Sequence, residues 1–204
     1  MPTCQEWTPR DLVEHLGGVQ HRWVAVPEAP QERVALPAWS AESTEQLLGT
    51  LGEFGQERGC WTWWGGSRSP QTSGAVARYQ VQETTVHAYD AETILGAPQP
   101  LPDEAARDGV DEFLSTRCAG TDPWPHEPAA VEYHAPEGRP GASRSPPPAH
   151  GSPAPPMPWT RPAPPSGTAG ELVLVRYGRI PVNSPKTDGD TRLFGLLLAR
   201  DLNT

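Results

Sequence analysis

The stretch RYQVQETTVHAYDAE, residues 78–92, decides how this chain is read. Taken as a helix, it sets Glu83 and His87 four residues apart on one face and continues the stripe with Asp90. Side chains so placed can share one small object, and a metal ion is such an object. The same spacing also arises on solvated helices, and Gln82 before the glutamate means that the pattern is not HExxH. The surrounding pattern predicts a helix from Ser73 to Leu95.

Outward from it, TPRDLVEHLGGVQHRWVAV, residues 8–26, announces a helix with Thr8 as N-cap, Pro9 in the first turn and Asp11 returning the capping bond. Leu12, Leu16, Val19 and Trp23 recur at helical spacing, so His15 lies on or beside the buried stripe. An inward histidine can be a satisfied core residue or a ligand. The tandem Gly17 and Gly18 predict close packing. A second helix is expected over 41–58, with Leu47, Leu51 and Phe54 facing in and Gly59 as its stop. The CWTWWGGSRSP segment that follows packs three tryptophans into four residues, either as a plug for the core or as the wall of a pocket. A fourth helix, 103–116, would bury Ala106, Val110, Phe113 and Leu114. Helices joined by short loops read as an antiparallel bundle.

Beyond the bundle the chemistry changes. From Pro140 to Pro165 there are eleven prolines in 26 residues, a composition that cannot sustain helix or sheet hydrogen bonding. The chain resumes pattern at GTAGELVLVRYGRIPV, where Thr168 and Glu171 form a candidate capping box, although LVLV also fits a buried strand. A last helix is expected from Thr191 to Asp201. The resulting domains are 1–118, a linker over 119–166, and 167–204.

A net charge of −9 without a cationic cluster lacks the footprint of a nucleic-acid binder. Three widely spaced cysteines, Cys4, Cys60 and Cys118, make neither a disulfide framework nor a zinc knuckle and fit a reducing cytoplasm. No apolar run is long enough to span a membrane.

The segments EWTPRDLVEHLGGVQHRW, RYQVQETTVHAYDAE and DGVDEFL together resemble the actinobacterial mycothiol-dependent maleylpyruvate isomerase family, and GTAGELVLVRYGRIPV resembles part of its C-terminal domain. The resemblance implies a DinB-like helical bundle, mainly α, followed by a small α/β domain. It implies a divalent metal, usually zinc, held by the histidine of WTxxxLxxH and by the glutamate and histidine of ExxxH: by motif, His15, Glu83 and His87. Asp90 is then a candidate support for His87 or an exposed charge, and Arg179 a candidate clamp for a substrate carboxylate. The implied partners are mycothiol, a low-molecular-weight thiol, and a small electrophile. A His2Glu set also accepts nickel, iron or manganese.

Two departures from that pattern stand out. Only six residues precede Trp7, where relatives carry a full helix, so the bundle is expected to lack its first helix. The Pro-rich stretch replaces most strands of the C-terminal domain, as a natural linker or as the product of compensated frameshifts. Three classes follow: a metal- and thiol-dependent isomerase or transferase, a non-catalytic metal-binding member without a competent C-terminal domain, and an interaction module whose Pro-rich segment docks aromatic grooves.

Overall fold

Capping at residue 8 starts the first helix as expected. In the computed structural model, Thr8 N and Oγ1 each donate to Asp11 Oδ2 at 2.6 Å, and Asp11 N donates back to Thr8 Oγ1 at 3.3 Å. The Thr8 hydroxyl is the main reason that the Asp11 carboxyl sits below its ordinary range. Helix α1 runs Pro9–His21, α2 Leu36–Phe54, α3 Ser73–Ile94, α4 Asp103–Phe113 and α5 Ala169–Arg176; a short antiparallel ladder pairs β1, Pro165–Ser166, with β2, Lys186–Thr187. The structure describes residues 6–21, 23, 35–65, 67, 69–113, 115–116, 165–184, 186–187 and 195. The chain is mainly helical among them. Residues 119–164, which hold most of the expected Pro-rich segment, and the expected helix from Thr191 to Asp201, Gly195 apart, lie outside the described residues.

Two compact units are present: Met1–Gly65 with Ser69–Ala105, and Gly66–Arg68 with Ala106–Thr204. In the first, α1, α2 and α3 pack pairwise. One core cluster joins Val19, Trp64, Val76 and Tyr79, with Trp23, Leu51, Cys60, Trp63 and Ala75 around it; another joins Leu36 and Trp39 with Val13. Gly17 explains half of the glycine pair. A Cβ there would lie 1.9 Å from the Trp39 ring, so only glycine lets α1 approach α2 this closely, whereas a Cβ at Gly18 meets nothing.

Helix α2 corrects the sequence reading. It begins five residues before the expected 41, because Pro37 suits a first turn, where its missing N–H has no partner to lose. It stops at Gly55, whose φ is +70°, rather than at Gly59, and Phe54 faces solvent instead of the core. The following loop folds back on the start of α3. Cys60 N donates to Gln71 O at 3.0 Å, Ser73 N to Arg58 O at 2.9 Å and Gly74 N to Gln56 O at 3.0 Å. Thr72 caps α3, its hydroxyl accepting from Ala75 N at 3.4 Å.

In the second unit α5 resolves the strand-or-helix ambiguity of LVLV. Its capping box is complete, with Thr168 N donating to Glu171 Oε2 at 2.8 Å and Glu171 N to Thr168 Oγ1 at 3.1 Å. Leu172, Val173, Leu174 and Val175 are all buried, so the helix is apolar around most of its circumference and shows no clean period in sequence. The helix ends in a Schellman motif: Arg179 N donates to Leu174 O at 2.7 Å and Gly178 N to Val175 O at 3.0 Å, with Gly178 at φ +68°. Arg176 donates from Nη1 to Val110 O at 2.9 Å and lies over the Phe113 ring, which meets Tyr177 edge-on. α4 spans Asp103–Phe113, and Ser115 and Thr116 are helical as well, in line with the expected end at 116.

Candidate metal centre

Helix α3 buries an unusual set of side chains for its length. Gln80, Gln82, Glu83, His87 and Asp90 are each less than one-tenth exposed, alongside Val76, Tyr79 and Val86. Glutamate and aspartate are almost never fully buried without partners, so their contacts must account for them.

Those contacts converge on Glu83. His87 Nε2 lies 3.4 Å from Glu83 Oε2, and His15 Nε2, from α1, lies 3.8 Å from the same oxygen. The Tyr79 hydroxyl donates to the other oxygen, Oε1, at 2.5 Å. Burial by itself would drive the Glu83 carboxyl toward its neutral form. The polar groups of His15, His87 and Tyr79 outweigh that effect and hold it well below the usual carboxylate range. Behind His87, Asp90 is fully buried with Oδ2 2.8 Å from Nδ1. A carboxylate at Nδ1 favours holding the proton on that nitrogen, so that Nε2 could turn its lone pair to a cation on losing its own proton.

One donor atom from each of His15, Glu83 and His87 lies within 4.8 Å of the others. Donors about 2 Å from a common divalent ion stand roughly 3–4 Å apart, so the 3.4 and 3.8 Å separations suit two imidazoles and a carboxylate around one cation. His87 is buried and the His15 side chain is about one-third exposed, which opens the cluster on the α1 side. Over both rings stands Trp7, 4.8 Å from His15 and 6.1 Å from His87 between centroids, nearly parallel to the latter. Sequence reasoning assigned no contact to Trp7 or Tyr79. The signal for Tyr79 was its position four residues before Glu83 on the same helix face.

Residues 26–92 match the mycothiol maleylpyruvate isomerase N-terminal domain. Over this stretch, 67 of the 204 residues, the chain resembles that family. Glu83 and His87 fall inside the matched stretch and His15 precedes it. No curated protein and no solved structure matches the chain.

The remaining candidate, Arg179, belongs to the second unit. Its guanidinium donates from Nη1 to Tyr177 O at 2.5 Å, and its backbone closes the end of α5. Cys60 is the free cysteine among the described residues, and burial pushes its thiol up, away from the reactive thiolate. The tryptophan loop divides between the two readings of its sequence. Trp64 is buried and donates from Nε1 to Pro70 O at 3.0 Å, Trp63 is partly buried, and Trp61 is exposed. No helix among the described residues is long and apolar enough to cross a membrane.

Proposed function

We propose that the chain holds a divalent cation, zinc being the usual choice for this donor set, through His15, Glu83 and His87, and uses it with mycothiol as an isomerase or thiol transferase acting on a small electrophile in the cytoplasm. The observation that carries this reading is the meeting of two imidazoles and one carboxylate from two helices, in a chain whose residues 26–92 match a mycothiol-related family. The finer architecture of the same proposal is a DinB-like bundle over 1–118, a Pro-rich linker over 119–166 and a C-terminal substrate domain over 167–204.

Bound divalent metal supplies Lewis acidity that lowers the pKa of a thiol, so that the thiolate is available near neutral pH. The chain's own residues do the rest. Asp90 orients the His87 ring, Glu83 stays ionised despite its burial, and Trp7 covers the imidazole faces and limits water there. Burial pushes the Cys60 thiol up, and in this reading the nucleophile is the thiol of mycothiol. In the isomerase form, the thiol adds to a cis double bond, the new single bond rotates, and elimination returns the thiol with the trans product. In the transferase form the thiol stays on the electrophile. Arg179 would hold a substrate carboxylate through its forked donors.

A second reading, a non-catalytic metal-binding member, draws on one observation: the Arg179 guanidinium is already engaged with Tyr177 O. Elemental analysis of the wild type and of the variant His15→Ala, Glu83→Ala, His87→Ala tests the metal site. Near-stoichiometric metal in the wild type alone supports it, and equal metal in both refutes the ligand assignment. Turnover of electrophiles with and without mycothiol then separates enzyme from non-catalytic protein.

A further inference from the structure

Glu83 presents two carboxylate oxygens, and they have different surroundings. Oε2 faces His15 and His87, whereas Oε1 accepts the Tyr79 hydroxyl at 2.5 Å. Tyr79 is itself buried, and three indoles ring it: Trp64 at 5.5 Å, Trp63 at 5.7 Å and Trp23 at 6.5 Å between centroids. Two of the three come from the loop that folds back on α3, and that loop is pinned by Cys60 N to Gln71 O and by Trp64 Nε1 to Pro70 O. An aromatic ring packed on several sides has little rotational freedom, so its hydroxyl is delivered to one place.

We infer that Tyr79 is a positioning residue for Glu83, and that the tryptophan loop serves this purpose: the clamped phenol occupies Oε1 and leaves Oε2 as the single oxygen offered to a cation. The inference rests on the metal-site reading above. One-oxygen binding keeps the coordination number low and a position open for a thiol, whereas a carboxylate binding through both oxygens would fill that position. A hydrogen bond to the ligating carboxylate also fixes its orientation before the ion arrives, which lowers the cost of assembling the site. The loop therefore has a use that core filling alone does not explain, since Trp63 remains only partly buried while touching Tyr79 edge-on.

The test compares the full-length wild type, Tyr79→Phe and the triple ligand variant, each titrated with Co2+ and with Zn2+. Tyr79→Phe keeps the ring and removes only the hydroxyl. Its metal affinity is expected to fall roughly tenfold to a hundredfold, the usual effect of losing a hydrogen bond to a ligand. Its cobalt visible absorption is expected to weaken, as the freed Oε1 joins the ion and raises the coordination number. A Tyr79→Phe protein that matches a metal-binding wild type in both affinity and spectrum overturns this inference and leaves the metal site standing. A wild type that takes up no more cobalt than the triple variant overturns both. If Tyr79→Phe does not fold, Trp63→Phe serves instead: it retains the phenol, loosens its clamp, and is expected to shift affinity and spectrum in the same direction by less, while unchanged values there overturn the inference.

Discussion

Helices α3 and α5 are both deeply buried, and they use that burial in opposite ways. α5 presents Leu172, Val173, Leu174 and Val175 to the interior of its unit, together with Arg176 engaged on Val110 O and the Phe113 ring. α3 puts Gln80, Gln82, Glu83, His87 and Asp90 where leucines would fit. Burying an apolar side chain stabilises by about 1.5–3 kcal/mol, whereas a buried charge costs several kcal/mol unless it is paired. The lesson is that α5 is built for stability. α3 is organised around Glu83, whose carboxyl is contacted by three neighbours.

The largest effect that this contrast predicts lies in α5. Leu172→Ala removes a side chain that is 1% exposed and should destabilise by about 2–5 kcal/mol, measured by urea unfolding followed by far-UV circular dichroism. A loss below 1 kcal/mol would mean that α5 is not the apolar anchor described.

Next in size is the reverse experiment, making α3 resemble α5. The double change Glu83→Leu, His87→Leu should abolish metal binding; with Asp90→Asn and Tyr79→Phe added, so that no buried charge or hydroxyl loses its partner, it should leave the chelator-treated protein as stable as the wild type, or about 1–4 kcal/mol more stable. A clear destabilisation would show that the polar cluster supports the fold itself. The same variant carries a pH signature. Because the folded-state carboxyl of Glu83 is held below its unfolded value of about 4.3, its contribution is fully present above that pH and is lost as pH falls below it toward the folded value. The metal-free wild type should therefore lose stability on acidification below about pH 4, and the double variant should lose less; parallel acid limbs would contradict the assignment.

The smallest effect separates capping from packing. Thr168→Ala breaks the capping box of α5 and should cost about 1 kcal/mol, well short of the Leu172→Ala loss. An equal loss from both would make the helix start, and not its apolar girdle, the main support.

How legible each region was follows from its periodicity. α1 was readable from its cap, because Thr8 and Asp11 state the start chemically, and α3 was readable almost to its last residue. α2 was placed too late: Pro37 was not read as a first-turn residue, and Phe54 was counted inward although it ends exposed. α5 stayed ambiguous in sequence because an all-round apolar helix has no polar face to set a period. At the candidate site, four-residue spacing put Glu83 and His87 on one face, but spacing carries no distance between helices. The approach of His15 to Glu83 and the seating of Tyr79 among three indoles are tertiary facts that no local pattern encodes.

Gly17 stands two residues after His15, at the point where α1 meets the Trp39 ring. Any side chain at 17 must push the two helices apart or displace that indole, and the imidazole two positions earlier travels with the backbone. A larger residue at 17 therefore calls for a smaller one at 39, and the spacing between His15 and Glu83 would register any mismatch between the two.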